Sequence, residues 1–152
     1  MLFFKTKKML KSVANGYVIR LEEVDDEVFS SKMMGEGYAI KQHDGKVYAP
    51  VEGRVESIFP TLHALTIACK TGEKLLIHMG IDTVELKGKP FSIQVTKDQK
   101  VKAGTLLAII DLPQLEKAQK EATLMVVFPG MTKGKILKEK QKVSLQDELF
   151  QF

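Results

Sequence analysis

TIACKTGEKLLIH, residues 66–78, decides how the chain is read. β-branched and apolar residues stand on both sides of Thr71-Gly72, and such a pattern predicts a β-hairpin. A two- or four-residue loop centred on Thr71-Gly72 sets Leu65 opposite His78 and Ile67 opposite Leu76. His63 shares the parity of Leu65, so it falls on the face of His78 as a diagonal neighbour. Diagonal neighbours lie about 7–8 Å apart at the backbone, within reach of long side chains. A slip of one residue would send the two rings to opposite faces.

The same kind of segment recurs along the chain. YVIRL, GYAIK, KVYAP, GRVESIF, LTIAC, KLLIH, FSIQV, TLLAIIDL, LMVVF and KIL all read as short strands, with turns at Asn15-Gly16, Asp44-Gly45 and Thr71-Gly72. No long helical period appears. A short helix is predicted after Asp111, with Pro113 in its first turn and Leu115, Ala118 and Ala122 on one face. DDEVFSSKMM reads as a second helical turn. QKVKAGTLL at 99–107 echoes QKVSLQDEL at 141–149, and SVANGYV at 12–18 echoes APVEGRV at 49–55. These echoes predict two related halves in one closed β structure. The expected organisation is an N-terminal extension at residues 1–11 and a single all-β domain at 12–152.

Composition narrows the function. The chain has 152 residues, 44% of them hydrophobic, enough for one domain with a real core. No run approaches the roughly 20 apolar residues of a membrane span. MLFFKTKKMLK lacks the apolar core of a secretory signal and reads as a loose terminus, with a weak membrane-surface contact as the lesser reading. The net charge is +4, from 23 basic and 19 acidic residues, with no tryptophan and no basic stripe carrying aromatics. That argues against nucleic acid as a partner. The single cysteine, Cys69, excludes an internal disulfide, suits a reducing cytoplasm and reads as a packing residue. Among the three histidines, His43 in KQHDGK reads as an exposed loop residue without chemistry.

Two imidazoles on one face have three readings: buried structural residues, metal ligands, or a nucleophile with an electrostatic partner. Imidazole has an ordinary pKa of about 6.5, so much of it is neutral and nucleophilic near pH 7. Phosphoryl transfer asks a protein mainly for positioning and charge stabilisation. A second ring that donates to a phosphoryl oxygen supplies the latter, and Thr61 stands where its hydroxyl can orient His63.

DEVFSSKMMGEGYAIK, APVEGRV, FPTLHALTI and above all LIHMGIDTVELKG resemble the glucose-type enzyme IIA domain of the bacterial phosphoenolpyruvate:sugar phosphotransferase system. The resemblance runs from about Ser12 to the end of KIL. It implies an antiparallel β-sandwich or flattened barrel with its site in a shallow depression. It also implies a histidine phosphocarrier that takes a phosphoryl group from HPr and passes it to a cysteine of enzyme IIB, which phosphorylates the imported sugar. Matched residue by residue, it implies phosphorylation at His78, with His63 and Thr61 in support. Asp26 and Asp82 are implied to receive a basic side chain of the partner. Val28, Phe29, Met34, Phe59, Leu76 and Val84 are implied to form an apolar docking surface. Met34, Leu76 and Met79 depart from the enterobacterial pattern while staying apolar. Gly35 and Gly37 read as a sharp turn rather than a nucleotide loop. No cofactor is required by the resemblance, though His63 and His78 can hold zinc with a partner carboxylate. The implied location is the cytoplasm, transiently at the membrane through the permease, and regulatory target proteins are a further class of partner.

The main rival is a zinc-dependent hydrolase using His63, His78 and Asp82, on the strength of the H-x-x-x-D spacing. It lacks the H-x-H of lysostaphin-type zinc peptidases and any evident general base. A lipoyl- or biotin-type carrier, suggested by QKVKAGTLL, lacks the lysine-methionine hairpin turn. Lys32-Met33 lies before a glycine turn, in the wrong setting.

Overall fold

The computed structural model describes residues 8–152. The strands run β1 (Met9–Lys11), β2 (Gly16–Ile19), β3 (Glu36–Lys41), β4 (Lys46–Tyr48), β5 (Gly53–Ile58), β6 (Ala64–Cys69) and β7 (Lys74–Met79). They continue as β8 (Phe91–Ile93), β9 (Lys100–Val101), β10 (Leu106–Ile110), β11 (Leu124–Phe128), β12 (Lys135–Ile136), β13 (Gln141–Val143) and β14 (Glu148–Gln151). The helical pieces are α1 (Glu27–Ser30) and α2 (Leu112–Lys117), with 3-10 turns at Leu21–Glu23 and Thr83–Leu86. Both short helices start at a capping aspartate, Asp111 as expected and Asp26 in addition. Asp26 accepts from the Val28 N–H at 3.0 Å, and Asp111 accepts from the Gln114 N–H at 3.2 Å.

The strands form three antiparallel sheets, with orders β1-β14-β12, β4-β10-β8 and β13-β2-β3-β11-β7-β6-β5-β9. This is the expected all-β antiparallel class. The largest sheet is covered on both faces. Val18, Tyr38, Ile40, Leu65, Ile67, Leu75, Ile77 and Val126 point into the main core with residues of the smaller sheets. Ala39, Ala64, Leu76, Met125 and Val127 point the other way, under Leu21, Val24 and Phe29. Double coverage explains why β11, LMVVF, is apolar throughout instead of alternating.

The repeat seen in sequence is present in hydrogen bonds. Gly16 stands opposite Val143 in one half, and Gly53 stands opposite Val101 in the other. The Lys140 N–H donates to the Val18 carbonyl at 2.7 Å, and the Asp98 N–H donates to that of Val55 at 2.7 Å. The Ser12 N–H bonds Asp147 O at 3.0 Å, and its counterpart from Ala49 reaches Thr105 O at 2.8 Å. β1, β9, β13 and β14 are absent from the strands read in the sequence; all are short, and most carry polar residues. Of the expected extension at 1–11, Met9–Lys11 pairs with β14 and Leu10 is fully buried, while residues 1–7 lie outside the described residues.

One register differs from expectation. Lys70–Gly72 forms the β6–β7 loop: the Cys69 N–H donates to Glu73 O and the Gly72 N–H to Cys69 O, both at 2.8 Å. Gly72 takes φ +105° as the last loop residue. An odd loop of this kind shifts the pairing by one residue relative to a two- or four-residue turn. Ala64, not Leu65, therefore faces His78, and Leu65 faces Ile77.

Candidate functional site

Strict continuation of that register places His63 opposite Met79, and the Met79 N–H does bond the His63 carbonyl at 2.7 Å. Yet β6 begins only at Ala64. Leu62 adopts a left-handed φ of 57° after the turn closed by its N–H on Phe59 O, and His63 sits in a bend. Its ring thus reaches the face of His78, with centroids 4.9 Å apart and planes at 79°. The two histidines meet as expected, but through a bend rather than through strand parity.

His78 is oriented by its own loop. Its Nδ1 lies 2.9 Å from the Gly80 carbonyl. A carbonyl only accepts, so Nδ1 carries the proton and the Nε2 lone pair is free. Gly80 takes φ +86°, and a Cβ there would lie 2.4 Å from Thr83 Cγ2 and 3.0 Å from Glu121 O. Thr83 is fully buried and donates its hydroxyl to Met79 O at 2.5 Å, which closes the loop. Asp82 follows in a left-handed conformation at φ 58°. His63 Nδ1 lies 2.6 Å from Thr61 Oγ1, as expected for the threonine.

Burial pushes the His78 imidazole down to about 4, and the neighbouring His63 adds to this. The Gly80 carbonyl, Asp26 and Asp82 act in the opposite sense without reversing it. Burial also lowers His63. Both rings are therefore neutral at pH 7. Burial pushes the Cys69 thiol up to about 12, in keeping with a packing role.

Apolar residues surround the pair. Phe29 lies 5.0 Å from the His78 ring, and Phe59 meets the His63 ring edge-on at 5.5 Å. Val28, Phe59 and Val84 are exposed, whereas Phe29 and Leu76 are buried and Met34 is partly buried beside them. The first three are open to solvent, whereas Phe29, Leu76 and Met34 pack into the smaller core. Exposed Met33 next to Met34, and a Lys120–Glu85 ion pair at 2.7 Å close to Asp82, belong to no sequence expectation. Lys120 stands 35 positions from Glu85, so local patterns carry no sign of the pair.

Two expectations need correction. His43 is buried, not exposed: its Nδ1 accepts from the Gly45 N–H at 3.0 Å and its Nε2 lies 2.6 Å from Ala122 O. The hydrolase grouping of His63, His78 and Asp82 is not formed. Among the described residues no three His, Cys, Asp or Glu side chains are gathered to hold a metal ion. Each imidazole already uses Nδ1 locally, so the pair offers one nitrogen apiece. A groove of about 640 Å³ lies elsewhere on the sheet, beside Arg54, Ala68, Lys70 and Lys100, and none of these site residues lines it.

Comparison with known proteins gives the same direction. Residues 8–134 match the family model described as phosphoenolpyruvate-dependent sugar phosphotransferase system, EIIA 1. The PTS system glucose-specific EIICBA component of Streptococcus pneumoniae is 49% identical over 117 residues. Those residues are 77% of this chain and 16% of that protein, so the chain spans only a small share of that relative's length. The solved structure of glucose permease IIA from Mycoplasma capricolum matches with a TM-score of 0.86 at 35% identity, over 99% of each chain. A match across most of the chain, in sequence and in fold alike, places this protein in the EIIA 1 family of the phosphoenolpyruvate-dependent sugar phosphotransferase system.

Proposed function

We propose that the chain is a histidine phosphocarrier: His78 Nε2 accepts a phosphoryl group from phospho-HPr and passes it to a cysteine of enzyme IIB. The observation that carries this reading is the hydrogen bond from His78 Nδ1 to the Gly80 carbonyl at 2.9 Å. It fixes the tautomer and aims the Nε2 lone pair away from the loop. In the transfer, that lone pair forms a bond to phosphorus as the nitrogen–phosphorus bond of the donor breaks. The Nδ1 proton stays on the ring, and the positive charge that the ring acquires is met by the Gly80 carbonyl, Asp26 and Asp82. With the Thr61 hydroxyl donating to Nδ1, His63 presents a protonated Nε2 to a phosphoryl oxygen. Val28, Phe59 and Val84 exclude water from the labile group as a partner docks, while Asp26 and Asp82 receive a basic side chain.

Family membership supports HPr and enzyme IIB as the partners, and the setting that fits this reading is the cytoplasm, with transient contact with a membrane permease. Among the described residues no helix is long and apolar enough to cross a membrane. The names of both relatives point to glucose as the transported sugar. Two imidazole nitrogens fall short of the three protein ligands typical of catalytic zinc. A zinc bridge at His63 and His78 would need a carboxylate from the partner, and the transfer proceeds without it. The test is incubation with phosphoenolpyruvate, enzyme I and HPr. An acid-labile, base-stable phosphate on Nε2 of His78, located by phosphorus and nitrogen NMR, is the expected result; phosphate on Nδ1 or on another residue overturns the reading.

A further inference from the structure

His43 is the one histidine outside the phosphoryl site, yet its bonds lead to it. Its Nδ1 accepts from the Gly45 N–H at 3.0 Å. The proton of the neutral ring is thereby assigned to Nε2, which donates to the Ala122 carbonyl at 2.6 Å. Ala122 lies in a stretch, Glu121–Thr123, that belongs to no helix or strand. In extended chain, successive carbonyls point to opposite sides. On the side away from His43, Glu121 O accepts from the Ile81 N–H at 3.0 Å and Thr123 O accepts from the Gly80 N–H at 2.9 Å. The Gly80 carbonyl in turn receives the His78 Nδ1–H at 2.9 Å. The stretch is clamped between an imidazole on one side and the His78 loop on the other.

We propose that His43 is a positioning residue for His78, holding Ala122 so that Glu121 and Thr123 fix the Gly80–Ile81 turn and, through it, the tautomer and aim of the His78 ring. The catalytic part of this inference rests on His78 being the phosphoryl acceptor; the tautomer part does not. A neutral ring that accepts at Nδ1 and donates at Nε2 bridges a gap that few other side chains span.

Two substitutions separate bridging from local turn formation. His43→Asn keeps a side-chain oxygen able to accept from Gly45 N–H two residues on, but falls short of Ala122. His43→Gln has the longer reach to donate to Ala122 O. Nitrogen NMR of unphosphorylated protein reads the His78 tautomer directly, and uptake from phospho-HPr reads the rate. His43→Asn is expected to turn the single Nδ1–H tautomer of His78 into a mixture and to slow uptake by roughly tenfold, since misplacements near 1 Å cost up to about a hundredfold. His43→Gln is expected to restore both in large part. Wild-type tautomer and rate in His43→Asn overturn the proposal, as does equal damage by both variants. If wild-type protein takes up no phosphate, the phosphocarrier reading fails, and the tautomer measurement still decides the role of His43. Should His43→Asn not fold, a wild-type tautomer and rate in His43→Ala, measured in its place, overturn the proposal in the same way.

Discussion

The His63 ring stands edge-on to the His78 ring, 4.9 Å between centroids, and of the two it is His78 that has its Nδ1 tied to the backbone. His63 is instead tied to a threonine hydroxyl, which can donate or accept. Equal side chains thus have unequal settings: a fixed tautomer suits the proposed phosphoryl acceptor, and an adjustable one suits the proposed donor.

His78→Ala is expected to abolish phosphate uptake from phospho-HPr while the protein still unfolds cooperatively. The loss of stability should be about 1 kcal/mol, near the middle of the range for point substitutions. Electrophoresis of the phosphorylated protein and a denaturant melt check both parts. Uptake at the normal rate would move the acceptor elsewhere.

His63→Gln keeps a donor of similar reach but not imidazole's protonation behaviour. Uptake from phospho-HPr should persist, and onward transfer to enzyme IIB should slow by about tenfold or more. Rapid-quench measurement of the two half-reactions separates them; equal slowing of both would make His63 a general structural support.

Gly80→Ala forces a side chain into φ +86° and against Thr83 Cγ2 at 2.4 Å. A cost of about 1–3 kcal/mol is expected from the backbone alone. In a domain of this size that lowers the melting temperature by several degrees. Thr83→Ser removes the clashing methyl and should recover part of the loss in the double variant.

Stability should fall in acid before the carboxylates titrate. All three histidines are held below their ordinary value by burial, His78 down to about 4. Between about pH 6.5 and 4 the unfolded chain binds protons that the folded chain refuses, so stability rises with pH there and is lost as pH falls through this window. Urea midpoints from pH 7 to pH 4.5 test the slope, and His78→Asn should flatten it. A midpoint constant across the window would mean that the rings titrate normally.

Phe59 is only 36% exposed, with its edge on His63, so it can serve both the ring and a partner. Phe59→Glu would bury an unpaired carboxylate under a docked HPr and should weaken binding by at least tenfold, about 1.4 kcal/mol. Phe59→Ser controls for charge. NMR titration reads both, and unchanged affinity in each would place the docking face elsewhere.

Much of this site is legible along the chain because its parts are local. Asp26 caps α1, Thr61 stands two residues from the histidine it bonds, and the Gly80 turn lies two residues past His78. The loop length between β6 and β7 is not legible, because Thr71-Gly72 fits a two-residue turn as well as the end of a three-residue one. Only packing of Leu65 and Ile77 into one core, and Ala64 and Leu76 into the other, selects the register. The burial of His43 is hidden for a different reason. Its partner Ala122 is 79 positions away, and an Asp-Gly turn next to a histidine reads as surface.

The pairing of β14 with both β1 and β12 has a consequence for synthesis. Leu149 and Phe150 complete the main core, so that core stays open until β14 leaves the ribosome. The histidine face is different: β6, β7 and β11 are all made by Phe128. During translation the chemistry-bearing face can therefore assemble on a nascent chain whose interior is still unsealed, a period when premature encounter with other proteins is most hazardous.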